Sequence, residues 1–232
     1  MFSINFYNFI AFVYLVSWKI AYICGVKNIS KFKRSLIWLR RIGHSRGFGV
    51  QSPWAYRFVR YVINEHWMYY AYSTLESKFP DLSVVDRKLC ELYFRLANFS
   101  QPSVVVAVCQ QEGLGTAHEA YFNAGCHLCK YRQMDGFTAL YDFLNDGRRR
   151  DGSLILYVGQ DYTEPGAVSK CIARLRDGDF VIVEGIGEKP DAAAAWNEMK
   201  GGERGGLLFD LHYAGLMYVD SKRYRQYYII NF

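Results

Sequence analysis

The residues of this chain that could do chemistry gather in a few places. Gly113-Leu114-Gly115-Thr116 lies between a β-branched run, Ser103–Cys109 (SVVVAVC), and a helix-forming stretch, 116–125 (TAHEAYFNAG). Glycine at such a junction lets the backbone come close to a ligand, and the helix N-terminus beyond it favours an anionic group. Glycines at strand-to-helix junctions also serve helices that bind nothing. Cys126-x-x-Cys129 has redox or zinc spacing, but there is no second pair, and zinc would need His118 or His127 to complete its ligands. Two reduced thiols on one strand are the simpler reading. His212 is a candidate base or a structural histidine. Arg148-Arg149-Arg150 reads as a solvated turn. The loop from Arg40 to Arg46, with Trp54 and Tyr56, suits gripping a phosphate or carboxylate and equally suits packing against a sheet. Neither a G-x-S-x-G elbow nor a phosphate-cradling P-loop occurs.

The elements that must position these residues follow from periodicity. Ser103–Cys109, Ser153–Val158 (SLILYV) and the run opening at Phe180 (FVIVEGI) are continuous apolar stretches, as expected of strands covered on both faces. Residues 126–131 read as a weaker strand. Helices are expected over 116–125, 136–145, 164–179 and 191–202. Upstream, residues 85–98 form an amphipathic helix and 28–42 a basic one. A further helix opens with Ser52 as N-cap and Pro53 at the first position, and runs to Trp67. Three closing strands, 205–211, 215–220 and 224–232, are joined by short turns and should be antiparallel. Alternating strands and helices imply parallel βαβ units. The expected fold is therefore α/β: a Rossmann-like three-layer sandwich, its mainly parallel sheet finished by an antiparallel C-terminal hairpin. Between Gly125 and Asp151 there is room for one βα unit and not two.

Composition sets the outer limits. Of the 232 residues, 51% are hydrophobic, which excludes a disordered chain and is enough for a real core. Six cysteines, most at apolar positions of expected elements, read as reduced buried thiols and not a disulfide framework. The net charge of +6 is unevenly spread: residues 1–64 carry ten cations and no acid, leaving 18 cations against 22 acids beyond. Residues 5–18 (NFYNFIAFVYLVSW) are almost wholly apolar, and Lys19 interrupts the stretch before IAYICGV. This segment reads as an anchor helix, an interfacial helix, or a piece upstream of the native start. No A-x-A cleavage site of a signal peptide follows it. A basic arm beside an apolar stretch suits an anionic membrane face, whereas nucleic acid is not expected as a partner. The expected organisation is an extension over 1–34, a helical cap over 35–99 and an α/β core over 100–232. The expected location is the cytoplasm, with membrane association through residues 5–25.

The order of elements and three segments resemble class I S-adenosylmethionine-dependent methyltransferases, in particular O-methyltransferase-like proteins with an H-G-V-H-S-P-F segment. Here that segment reads Gly47-Phe48-Gly49-Val50-Gln51-Ser52-Pro53-Trp54. The closing strands, Phe209-Asp210-Leu211-His212-Tyr213-Ala214-Gly215-Leu216-Met217-Tyr218 and Tyr228-Ile229-Ile230-Asn231-Phe232, resemble the family's endings I-D-L-F-x-x-G-L-V-F-F and F-K-L-R-F. The likeness spans roughly 40–232. It implies a cofactor loop after the first strand, where Gly113, Gly115 and Thr116 are kept, while Ala107 stands at the acidic position and Cys109 at the first glycine. It also implies an acid for the ribose at the end of the second strand, where none stands; Asp135 falls in the next loop. Metal-dependent members hold Mg²⁺ with carboxylates at the ends of two later strands. Val158 and Gly185 replace two of these, and Glu184 with Asp161 makes a poor metal site, so Glu184 joins Cys109, Gly113, Gly115 and Thr116 as a candidate cofactor-binding residue.

Three functions are consistent with this pattern. The first is a working methyltransferase acting on a small-molecule acceptor. The second is a catalytically inactive binding or scaffolding module of the same fold. The third is a membrane-tethered polyanion-binding module. The missing acid, glycine and metal ligands favour the second, with binding of S-adenosylmethionine at Cys109–Thr116 weakened or lost and no metal held.

Overall fold

The computed structural model describes residues 29–47, 49–109, 113–146, 151–161, 163–164 and 166–232. The chain divides into two units, Met1–Gly43 and His44–Phe232. The first contains α1 (Ile29–Arg40). The apolar stretch 5–18, Lys19, Cys24 and the Arg148–Arg150 turn lie outside the described residues.

The second unit opens with α2 (Pro53–Phe58). Ser52 caps it by accepting the Ala55 amide at 3.4 Å, and Pro53 stands at its first position. A single π turn, Val59–Ile63, follows, and there the helix stops short of the expected Trp67. The cause is Arg95. This buried guanidinium donates through Nε to the Val62 carbonyl at 2.7 Å and through Nη2 to the Ile63 carbonyl at 3.3 Å. It thereby satisfies the carbonyls that a helix end leaves open. A short helix without a clear apolar period, α3 (Tyr70–Lys78), was not anticipated; α4 (Val84–Ser100) falls where the amphipathic pattern puts it.

Strands and helices then alternate: β1 (Val104–Val108), α5 (Leu114–Gly125), β2 (Lys130–Gln133), α6 (Phe137–Asn145), β3 (Leu154–Val158), α7 (Ala167–Ile172), β4 (Phe180–Glu184) and α8 (Pro190–Gly201). The closing strands are β5 (Gly206–Asp210), β6 (Ala214–Val219) and β7 (Gln226–Ile229). Three expectations need correction. The second strand begins at Lys130, because Cys126–Cys129 form a turn closed by the Cys129 amide on the Cys126 carbonyl. The helix expected over 164–179 is helical only over Ala167–Ile172. The Asp179 carboxylate takes the amides of Leu154 and Arg176, both at 2.8 Å, and fixes a turn in place of further helix. Finally, β7 is not antiparallel to its neighbour.

The sheet order is β2-β1-β3-β4-β6-β5-β7. Strands β1 to β4 pair in parallel, and β6 lies antiparallel to both β4 and β5. With both edges of β6 occupied, β7 pairs at the free edge of β5, and its direction there is parallel. The fold is thus the expected Rossmann-like three-layer α/β sandwich with a mainly parallel sheet and the antiparallel hairpin β5–β6. A single βα unit occupies 126–151, so the chain steps from β2 at the edge straight to β3 on the far side of β1.

Pleating divides the sheet residues between two cores. Val105, Ala107, Ile155, Tyr157, Phe180 and Ile182 face α2, α4 and α5. Val104, Val106, Val108, Leu154, Leu156, Val158, Val181 and Val183 face α6, α7 and α8.

Candidate functional site

In an open α/β sheet, the crevice outside the carboxyl ends of the strands is widest where the strand order reverses. Here that point lies between β1 and β3. Val108, Val158 and Val183 are aligned by the ladder, so Cys109, Gly159 and Glu184 form the next row across three strand ends. The Gly159 amide continues the pairing to the Val108 carbonyl at 2.9 Å. Gly159 contributes no side chain, and a Cβ at that position would lie 3.0 Å from the Cys109 Cβ. The space above it is a cavity of about 70 Å³, bounded by Cys109, Leu114, Gly115, His118, Tyr157, Gly159, Gln160, Asp161 and Glu184.

Tyr157, one step below the row, points its hydroxyl to His118 Nδ1 at 2.7 Å. The Tyr93 hydroxyl, from α4, donates to Glu184 Oε1. His118, from α5, has its Nε2 3.6 Å from the same oxygen and makes no hydrogen bond through that nitrogen among the described residues. The rings interlock: Tyr93 stacks on Phe122 at 5.1 Å and meets His118 and Tyr157 edge-on at 5.2 and 5.5 Å.

Burial decides the protonation of these groups. It pushes the Glu184 carboxyl up to about 7, although hydrogen bonds from Tyr93 and Tyr157 pull the other way. It holds His118 down at about 4, so the imidazole is neutral at physiological pH. Both tyrosines are raised well above their ordinary range, first by burial and then by the Glu184 charge. Burial raises the Cys109 thiol too, against a contact with the Tyr131 hydroxyl. The cluster can therefore hold or exchange one proton near neutrality, on Glu184, beside a neutral imidazole.

Of the five residues singled out for cofactor binding, Cys109, Gly115 and Glu184 bound the cavity. Gly113 caps α5 at φ +62° and is exposed, as is Thr116 in the first turn. The sequence reading missed Tyr93 and Tyr157 and considered His118 only for zinc. The available signal was a polar residue on the inner stripe of a helix or on the strand face shared with Glu184. Asp135 lies two residues past β2, and Gln133 at the strand end donates to the Cys109 carbonyl.

Among the described residues, the space above this row is smaller than S-adenosylmethionine needs. Small-molecule pockets run from about 300 to 1,000 Å³, and Tyr93, His118 and Tyr157 occupy the volume beside this one. A metal fares no better. Val158 is buried on the opposite face of the sheet. Gly185 has φ +76°, and a Cβ there would meet the Gln160 Cβ at 2.9 Å, so a carboxylate at that position is sterically opposed. Asp161 is paired with Lys189 at 2.8 Å. Among the described residues, no three His, Cys, Asp or Glu side chains converge.

The other candidates resolve into packing. Cys126 and Cys129 are free thiols on a turn and not on one strand; their Sγ atoms contact Gln101 and Asn123. His212 sits in the β5–β6 turn at φ +72°, its amide on Asp210 and its carbonyl on the Gly187 amide. Trp54 stacks on Tyr218 at 4.5 Å, so it packs on the sheet, whereas Tyr56 is exposed.

No family model matches the sequence, and no curated protein does. Among solved structures, the chain is similar to the SAH-bound methyltransferase PaMTH1 of Podospora anserina, at 11% identity and a TM-score of 0.39. The match covers 73% of this chain and 97% of that one. At that distance it carries no argument about what this chain binds.

Proposed function

We propose that this chain is a methyltransferase-like protein whose cofactor cleft has been closed by its own side chains, and that it serves as a non-catalytic binding or scaffolding module. One observation carries the reading. At the switch point between β1 and β3, His118, Tyr157 and Glu184 line a cavity of about 70 Å³ among the described residues, where a cofactor would need several times that volume. The departures at Ala107, Cys109 and the end of β2 point the same way.

The alternative is a working methyltransferase. In its favour, Gly115 at the start of α5 borders the cavity, and Glu184 is poised to exchange a proton near neutral pH. Calorimetric titration with S-adenosylhomocysteine separates the two. Absence of binding at high micromolar ligand supports the closed cleft. A micromolar dissociation constant overturns it and returns the chain to the enzymes.

A further inference from the structure

Scattered exposed apolar side chains are ordinary on a protein surface. In this chain they are concentrated. Of the fourteen large hydrophobics exposed among the described residues, five fall between Tyr56 and Tyr70: Tyr56 at 45%, Tyr61 at 64%, Trp67 at 77%, Met68 at 80% and Tyr70 at 101%. Arg57 and Arg60 are exposed within the same segment. Glu65 is its one acid, and that carboxylate is turned back on the chain, accepting the amides of His66 and Trp67 at 3.0 and 3.2 Å. The helical part of the segment is held from beneath by the buried Arg95 on the Val62 and Ile63 carbonyls.

We infer that the Tyr56–Tyr70 segment is a docking surface for an anionic lipid bilayer. Aromatic rings with a polar edge settle at the level of the lipid headgroups, and cations beside them are drawn to anionic lipid. The charge of the segment is complementary to such a surface: Arg57 and Arg60 are exposed, and no acid precedes Glu65 in the chain. The first unit independently shows the same chemistry. Helix α1 exposes Phe32 and Leu39 and carries Lys31, Lys33, Arg34 and Arg40, as helices that lie in an interface do. Single-stranded nucleic acid also takes aromatics and cations, but it uses rings for stacking and has no use for exposed Met68.

The test is cosedimentation of the full chain with vesicles of phosphatidylcholine, alone or mixed with phosphatidylserine. Binding to the mixed vesicles, weak binding to the neutral ones, and release by salt are expected. Each cation near an anionic leaflet contributes about fivefold, so R57E/R60E should weaken binding by about 25-fold or more. W67S/M68S should weaken it by about tenfold. These side chains lie outside the cores, so the near-ultraviolet circular dichroism of both variants should match the parent; Tyr61→Ser replaces any variant that does not. Parent-like binding by both variants overturns the inference, because residues outside the segment then do the work. So does failure of the full chain to sediment. Tighter binding to a single-stranded oligonucleotide, lost in the same variants, would reassign the surface to nucleic acid and also overturn it.

Discussion

The two faces of the sheet have the same pleat and register but differ in chemistry at the strand ends. Toward α6, α7 and α8 the strands present Val104, Val106, Val108, Leu154, Leu156, Val158, Val181 and Val183, all aliphatic. Toward α4 and α5 the same strands end in Tyr157 and Glu184, covered by Tyr93 and His118. The aliphatic face is stabilised by burial, which is insensitive to pH. The polar face must satisfy each buried group or bear its desolvation cost. One face maintains the fold, and the other has put a titratable cluster where this architecture opens its crevice.

The contrast can be broken, beginning with the largest effect. Leu156→Ala, in the aliphatic core, should lower unfolding free energy in urea by about 2–5 kcal/mol, equally at pH 5 and pH 8. A cost that changes with pH would mean that the two faces are coupled.

Next, the polar face should reveal itself through pH. The folded Glu184 carboxyl is raised from 4.5 to about 7, so its contribution to stability is complete below pH 4.5 and is lost as pH rises through 7. Folded His118 is lowered from 6.5 to about 4, so its contribution is present above pH 6.5 and lost as pH falls through 4. Each shift amounts to roughly 3 kcal/mol. The two slopes oppose one another between pH 4.5 and 6.5, where the parent should be nearly flat. Glu184→Gln should leave stability rising with pH across that window, and His118→Phe should leave it falling. Identical slopes in parent and variants would contradict burial of the pair.

A smaller effect is expected one residue beyond Leu156. Tyr157→Phe keeps the ring and removes the hydroxyl that contacts His118, so it should cost about 1–3 kcal/mol. A neutral outcome would show that His118 has another partner. Smallest, Gly185→Ala should cost about 1–2 kcal/mol, because φ is +76° and the new Cβ would press on Gln160. Unchanged stability there would remove the steric reason for a missing carboxylate at the end of β4.

Much of this was legible in the sequence. Runs such as SVVVAVC and SLILYV announce strands covered on both faces, and Ser52-Pro53 announces a helix start. The limits are equally physical. Where the helix after Pro53 stops depends on Arg95, 32 residues after Ile63, and a local pattern does not register a partner so far along the chain. β7 pairs with β5 because β6 has no edge left, which is a property of the whole sheet. At the site, the loop glycines and Glu184 stood out by position. Tyr93 and Tyr157 read as ordinary core aromatics, since only tertiary packing brings their hydroxyls to a buried acid.

The proposed closure of the cleft rests on the burial of Glu184. The direct measurement is the infrared difference between parent and Glu184→Gln as pH is varied. A protonated carboxyl band that persists through pH 6 and disappears around pH 7 is the expected result. Loss of that band near pH 4.5, as for an exposed glutamate, would mean that water reaches the site and that the cleft is open.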